Sequence, residues 1–302
     1  MGMKNMVKYF YSMLKGAVMQ REMPEKKKVK KPGLLGKILA MLPVTCALLY
    51  PVYLAAQLEI KEEDYVNSRL PQAFSGLKIV YLSDIHYGYY FRADRVQKLV
   101  DTVNALQPDL ILLGGDYGED SQGAVDFFRL RPAFRAKIGV FGVVGNHDRT
   151  LPESNLIILQ EEMLKSGVTP LVNDTALIRR QGASLALAGM DDYYNGFPEI
   201  EKLEEQCRGA DFVIFLPHTP DVLPEVEAPF FDLALCGHTH GGQVTIFGYA
   251  PKSSSHLGNR YLSGWFHERG YDCLVSNGVG VSWLPVRLGA KAQVHLLRLK
   301  HQ

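Results

Sequence analysis

The stretch Leu77-Lys78-Ile79-Val80-Tyr81-Leu82-Ser83-Asp84-Ile85-His86 decides the fold class. Its first six residues are apolar apart from Lys78 and include β-branched and aromatic side chains, the pattern of a strand, and the run delivers the chain onto an Asp-x-His. An amphipathic helix is predicted over Ala93 to Leu106, then a strand over Asp109 to Leu113 that closes on Gly115-Asp116. A second helix over Gly123 to Phe134 leads to a strand over Ile138 to Val144, which closes on Gly145-Asn146-His147-Asp148. Strand, helix and strand in alternation predict an α/β protein with a largely parallel sheet, whose reactive groups collect in loops at the carboxyl ends of the strands.

Toward the carboxyl terminus a helix is predicted over Glu153 to Lys165. Short strands follow at Ala176 to Arg180, Ser184 to Ala188, Phe212 to Phe215, Phe230 to Leu235, Val244 to Phe247, Cys273 to Ser276 and Ala292 to Leu299, expected to build a second sheet. His218 follows one of them, and Gly237-His238-Thr239-His240-Gly241-Gly242 follows another. The four cysteines, Cys46, Cys207, Cys236 and Cys273, lack the spacing of a zinc finger or disulfide framework and read as free, mostly buried thiols.

The residues gathered at strand ends are carboxylates, an amide and imidazoles, an oxygen and nitrogen set suited to Mn, Fe, Zn or Mg. Any one fragment is weak: a lone Asp-x-His is common, and Gly-Asn-His-Asp suits a polar turn. Their order and placement carry the signal. So many convergent ligands exceed the needs of one tetrahedral ion and suit two ions sharing a carboxylate. On an extended chain, Asp-x-His and His-x-His would point both side chains to one side.

The series SDIH, GGD, GNHD, an isolated His and GHTHGGQ resembles the calcineurin-like metallophosphoesterase superfamily, motif by motif, from about Leu77 to the carboxyl terminus. LSDIHYG, GMDDYYNG, HTPD and VSNGVGVSWLPVRLGA are similar to its membrane-associated bacterial branch. The resemblance implies a four-layer αββα sandwich of two mixed sheets flanked by helices. It implies one metal held by Asp84, His86, Asp116 and His240, and a second held by Asp116, Asn146, His218 and His238, with Asp116 bridging. His147 would face the substrate, oriented by Glu119, with Asp148 as a competitor for that role. Two divalent ions, Mn foremost with Fe, Zn or Mg as alternatives, would make a bridging hydroxide available for in-line attack on phosphorus. The expected enzyme is a metal-dependent phosphodiesterase or pyrophosphatase. The rival readings are a phosphomonoesterase of soluble substrates and a non-catalytic scaffold, although every ligand position is filled. Relatives of that branch are associated with phosphodiester cleavage and with hydrolysis of UDP-2,3-diacylglucosamine in lipid A synthesis.

For the substrate, Tyr87 with its aromatic neighbours is a candidate apolar wall, and Arg149, Lys252 and Arg260 are candidate phosphate cations. No nucleic-acid-specific binding and no obligate protein partner is expected.

The formal net charge of the 302 residues is +1, but it divides unevenly. Residues 1–37 carry ten basic and two acidic side chains, a net of +8, which leaves 23 basic and 30 acidic elsewhere. A basic amphipathic arm (1–33) and a hydrophobic membrane anchor (34–60) are therefore expected before a linker (61–76) and the catalytic domain (77–302). The uncharged run Ile38 to Leu58 matches about 30 Å of helix, one bilayer core. Basic residues before it and acidic ones after it place the catalytic domain outside the cytoplasm at the cell membrane, while Pro43 and Pro51 leave a cytoplasm-facing monotopic attachment open.

Overall fold

A computed structural model describes residues 33–150, 152–226 and 229–302. Residues 47–302 form one compact unit. The expected arm falls, but for Gly33, outside the described residues. Helix α1 spans Leu34–Ala55, with Pro43 and Pro51 inside it. Among the described residues no helix is long and apolar enough to cross a membrane. The run expected to span one is divided: α1 ends at Ala55, and strand β1 begins at Leu58.

Two six-stranded sheets follow. The first has the order β1 (Leu58–Asn67), β12 (Ala292–His301), β2 (Lys78–Leu82), β3 (Leu110–Leu113), β4 (Gly139–Gly142), β5 (Val168–Pro170). The second runs β10 (Gly264–Glu268), β11 (Tyr271–Val275), β9 (Leu233–Cys236), β8 (Phe212–Leu216), β7 (Ala183–Gly189), β6 (Asp174–Arg180). From β2 through β5 every pairing is parallel, and so are β7 with β8, β8 with β9 and β9 with β11. Both sheets are mixed, because β12 runs antiparallel to β2 and the outer pairs β6–β7 and β10–β11 are antiparallel.

Period-two alternation sorts the apolar residues into layers. Ile79 and Tyr81 of β2, with Leu110 and Leu112 of β3, point into the core between the sheets. Val80, Leu82, Ile111 and Leu113 point the other way, onto the helices α2 (Ala93–Ala105), α3 (Ser121–Arg129) and α4 (Glu153–Lys165). Leu203 and Cys207 of α5 (Ile200–Cys207) cover the far face of the second sheet. Helix α3 starts at Ser121 because the Asp120 carboxylate accepts from the Gly123 N–H at 2.7 Å, an N-cap. It stops at Arg129, short of the expected Phe134, as Pro132 lies just beyond and Arg131 turns left-handed at φ 56°.

Three expectations are corrected. Residues 61–76 are not simply a linker, because β1 pairs in parallel with β12 from Leu58↔Ala292 to Asn67↔His301. Its acidic residues answer the basic ones of β12: Glu62 pairs with Arg298, and Asp64 with Lys300 at 2.6 Å. Tyr65 seats the strand by stacking on Trp265, with ring centroids 5.5 Å apart. Strand β12 belongs to the first sheet rather than the second. Val244 to Phe247 is no sheet strand; it bridges Leu288 and Gly289 through Val244, and Ile246 bridges Tyr249 in a tight turn. Of the cysteines, Cys207, Cys236 and Cys273 are buried and Cys46 is exposed.

Candidate metal centre

The loops that leave β2, β3, β4, β8 and β9 converge. The loop after β2 supplies Asp84 and His86, the one after β3 Asp116, and the one after β4 Asn146 and His147; His218 follows β8, and His238 and His240 follow β9. Potential ligand atoms of Asp84, His86 and His240 lie within 4.8 Å of one another, as do those of Asp116, His218 and His238. His86 Nε2 and His240 Nε2 are 3.0 Å apart. Asp116 stands between the groups, its Oδ2 3.6 Å from His86 Nε2 and 3.3 Å from His218 Nε2. Asn146 joins the second group, with Oδ1 2.9 Å from His238 Nδ1.

The backbone that aims these side chains is not extended. Asp84, His86, Asp116, His238 and His240 all have positive φ, between 49° and 68°. Such left-handed conformations cost about 1–3 kcal/mol at a non-glycine residue and collect where a site needs them. The Asp-x-His and His-x-His pairs therefore converge through left-handed turns beyond the strand ends, not through the pleat of an extended chain.

The residues fit divalent cations. His218 Nδ1 donates to the Gly114 carbonyl at 2.8 Å, which fixes the ring and leaves Nε2 buried without a hydrogen-bond partner beside Asp116. Gly145 keeps the space open: a Cβ there would stand 2.3 Å from Asp116 Oδ1 and 2.7 Å from His218 Cε1. Burial pushes His86 down to about 3 and His238 to about 4, so both rings are neutral and offer lone pairs. Burial also raises Asp84, to about 6. For His218, burial opposes the charge but the Asp116 carboxylate outweighs it and pushes the ring up to about 10. A cation bound there would take the place of the His218 Nε2 proton beside Asp116 and free that nitrogen's lone pair.

His147 is held differently. Its ring Nδ1 lies 2.7 Å from the main-chain carbonyl of Glu119, and its backbone N–H donates to Asp116 Oδ1 at 2.9 Å. Glu119 thus orients the imidazole through its carbonyl, not its carboxylate, which accepts from the Tyr89 N–H at 3.1 Å. Replacing Glu119 by Ala is expected to keep turnover within a factor of about three, far from the loss of about 10²-fold or more that follows removal of a general acid. Steady-state rates decide it, and a loss matching that of His147→Ala would restore the carboxylate to the orienting role. Asp148 is no competitor, because its carboxylate is consumed by the N–H groups of Asp116, Tyr117 and Gly145 at 2.8–2.9 Å. It fastens the two ligand loops together.

The expected substrate residues fare unevenly. Arg149 is buried, its guanidinium bound to Glu153 at 2.7 Å and Asp191 at 3.1 Å, and so is not a free phosphate cation. Arg260 pairs with Glu268 at 3.2 Å and covers the Tyr261 ring. Tyr87 is half-buried against the helix-side core, its ring 6.3 Å from Phe127, and does not form an exposed wall. Lys252 lies with Nζ 4.2 Å from the Trp283 ring centroid.

Two supports were not read from the sequence. Asn195 donates to the Asn146 carbonyl at 2.9 Å, tying the Asp191–Asn195 loop to the centre. Arg287, fully buried, donates to the carbonyls of Asn277 (2.7 Å), Gly280 (2.6 Å), Ala290 (3.0 Å) and His240 (3.4 Å). It lies within the quoted VSWLPVRLGA stretch, and an arginine in an otherwise apolar closing segment was the available signal.

Residues 77–242 match the family described as Calcineurin-like phosphoesterase. The chain is similar to the uncharacterized metallophosphoesterase YkuE of Bacillus subtilis, at 29% identity over 80% of this chain and 86% of that protein. The phosphodiesterase YaeI of Escherichia coli is 29% identical over 74% of this chain and 82% of its own length. A bovine transmembrane protein with metallophosphoesterase domain is 32% identical over 77% of this chain, which spans 55% of that longer protein.

Proposed function

The chain belongs to the calcineurin-like phosphoesterase family and is a metal-dependent hydrolase, and from this premise we propose that it cleaves a phosphodiester or pyrophosphate bond at a dinuclear centre. The observation that carries the proposal is the position of Asp116 between two groups of ligand atoms. In this reading Asp84, His86, Asp116 and His240 hold one ion, and Asp116, Asn146, His218 and His238 hold the other; manganese suits the mixed oxygen and nitrogen set. When bound, the ions supply an activated water and neutralise phosphoryl oxygens.

The chain's own residues supply the rest. His147 binds through Nδ1 to the Glu119 carbonyl, which leaves Nε2 to donate to a phosphoryl or leaving-group oxygen. Burial works against its protonation, but Asp116 and that carbonyl outweigh burial and raise its pKa, as suits a proton donor. A diester fits better than a monoester. A monoester dianion calls for additional positive charge, and Arg149 is committed to Glu153 and Asp191.

The assay is turnover of bis-p-nitrophenyl phosphate against p-nitrophenyl phosphate by full-length protein with Mn²⁺, before and after chelation. The expected result is chelator-sensitive cleavage that favours the diester. Preference for the monoester supports the phosphomonoesterase reading, and silence on both supports the scaffold. For His147→Ala we expect full metal content with turnover lowered about 10²-fold or more. Loss of metal as well would make His147 a ligand.

Membrane attachment is part of the proposal. Its supports are the +8 net charge of residues 1–37, the exposed Leu48, Leu49, Tyr50 and Tyr53 of α1, and the word transmembrane in the bovine relative's name. A lipid-linked phosphoester such as a UDP-diacylglucosamine-like molecule is the substrate class that suits this placement. The charge pattern favours an extracytoplasmic catalytic domain, and fractionation with protease protection decides orientation.

A further inference from the structure

A groove of about 330 Å³ opens beside the metal centre, with His240 in its lining and Val244, Pro251, Trp283, Leu284 and Val286 as its apolar walls. We propose that this groove binds a hydrocarbon chain of the substrate, running outward from the phosphate; the proposal rests on the phosphoesterase reading above. Three observations carry it. First, a ligand candidate and the groove share His240, so whatever fills the groove lies next to the phosphate.

Second, the side-chain amide of Gln243 is committed elsewhere, which leaves Lys252 and the short side chains of Ser253, Ser254 and Ser282 as the groove's polar lining. The Gln243 amide donates to the Leu284 carbonyl at 3.1 Å and accepts from the Ser282 N–H at 2.7 Å. The Ser254 carbonyl lies 3.3 Å from His238 Nε2. Apolar side chains supply the groove's larger walls, and the volume is at the small end of ligand sites, enough for a chain and small for a nucleotide.

Third, the walls are held open. Trp283 is 81% and Leu284 61% exposed, and Trp283 keeps a left-handed φ of 70°. The Gln243 clamp, with the Thr245 N–H on the Leu288 carbonyl at 2.7 Å, fixes the two loops to each other. An exposed apolar pair on a fixed, strained loop is a surface built to be covered. Lys252 also lines the groove, its Nζ 4.2 Å from the Trp283 ring centroid.

The test compares p-nitrophenyl dodecyl phosphate, below its micellar concentration, with p-nitrophenyl methyl phosphate, using full-length protein with Mn²⁺. Wild type is expected to favour the dodecyl ester by about tenfold or more in kcat/KM, since buried methylenes add binding. In a Trp283→Ser, Leu284→Ser double variant that ratio is expected to fall close to one. Phe247→Ser, which removes an exposed aromatic that does not line the groove, is expected to keep the wild-type ratio.

A second readout needs no turnover. The chain has two tryptophans, so Trp265→Phe leaves Trp283 as the reporter. Its emission is expected to shift to shorter wavelength with dodecylphosphonate and to stay put with methylphosphonate. A shift without hydrolysis of either ester keeps the groove and removes the phosphodiesterase reading. Hydrolysis with a ratio near one and no shift keeps the hydrolase and overturns the groove.

Discussion

Asp116→Asn is expected to remove bound metal and turnover together while leaving the fold in place. Asparagine keeps an oxygen where Asp116 Oδ1 accepts the His147 N–H at 2.9 Å, so the loop after β4 retains its tether. What changes is Oδ2, the oxygen 3.3 Å from His218 Nε2 and 3.6 Å from His86 Nε2. An NH₂ group there faces two ring nitrogens with a donor and no negative charge, so both proposed ligand sets lose the member they would share. A loss of about 4 kcal/mol of transition-state stabilisation corresponds to about 10³-fold in rate. Elemental analysis of the purified protein, bis-p-nitrophenyl phosphate turnover and thermal unfolding in chelator separate the effects. Normal metal content with normal turnover would sink the shared-carboxylate assignment; a collapsed melting transition would mean that Asp116 holds the loops rather than the ions.

Legibility of the fold followed burial. Strands β2 and β3 are packed on both faces, so their sequences, KIVYL and LILL, are apolar apart from the leading Lys78 and stand out. Strand β1, LEIKEEDYVN, lies at a sheet edge with one covered face, and its charges make sense only beside the basic residues of β12. A linker reading came from looking at one partner without the other. Strand β12 was visible as a strand, but its insertion between β1 and β2 is a long-range event that no local pattern encodes. The opposite error arose at Val244 to Phe247, where β-branched composition suggested a strand and Phe247, at φ 51°, turns the chain back before any ladder forms.

At the candidate site the asymmetry is between side chains and main chain. That Asp84, His86, Asp116, Asn146, His218, His238 and His240 would come together was legible, because a set of ligand-type side chains is written in residue type and order. The groups that aim them are carbonyls and N–H groups, which every residue carries. Glu119 offers its carbonyl to His147, Gly114 its carbonyl to His218, and the N–H groups after β3 and β4 converge on Asp148. Sequence reasoning therefore gave Glu119 and Asp148 roles that belong to catalytic carboxylates, when one acts through its backbone and the other ties backbone together.

The buried arginine makes the same point through stability. Arg287→Met should destabilise the protein by about 3 kcal/mol or more, since a methionine of similar length cannot satisfy the carbonyls of Asn277, Gly280 and Ala290 that the guanidinium now serves, and each buried orphan costs about 1–3 kcal/mol. Burial lowers the Arg287 pKa to about 10, still charged at neutral pH, with the Asp84 carboxylate working the other way. Arg287→Lys keeps a charge but not the planar fork, and a single ammonium cannot reach carbonyls on both sides of the loop. It should recover only part of the stability. Because Arg287 also reaches the His240 carbonyl at 3.4 Å and its own N–H donates to the Pro51 carbonyl at 2.9 Å, loosening it frees a ligand loop and the end of α1 together. Denaturant unfolding of both variants, with metal affinity measured on whatever stays folded, tests the ordering wild type, Lys, Met. A methionine variant as stable as wild type and with unchanged metal affinity would show that water, not Arg287, satisfies those carbonyls.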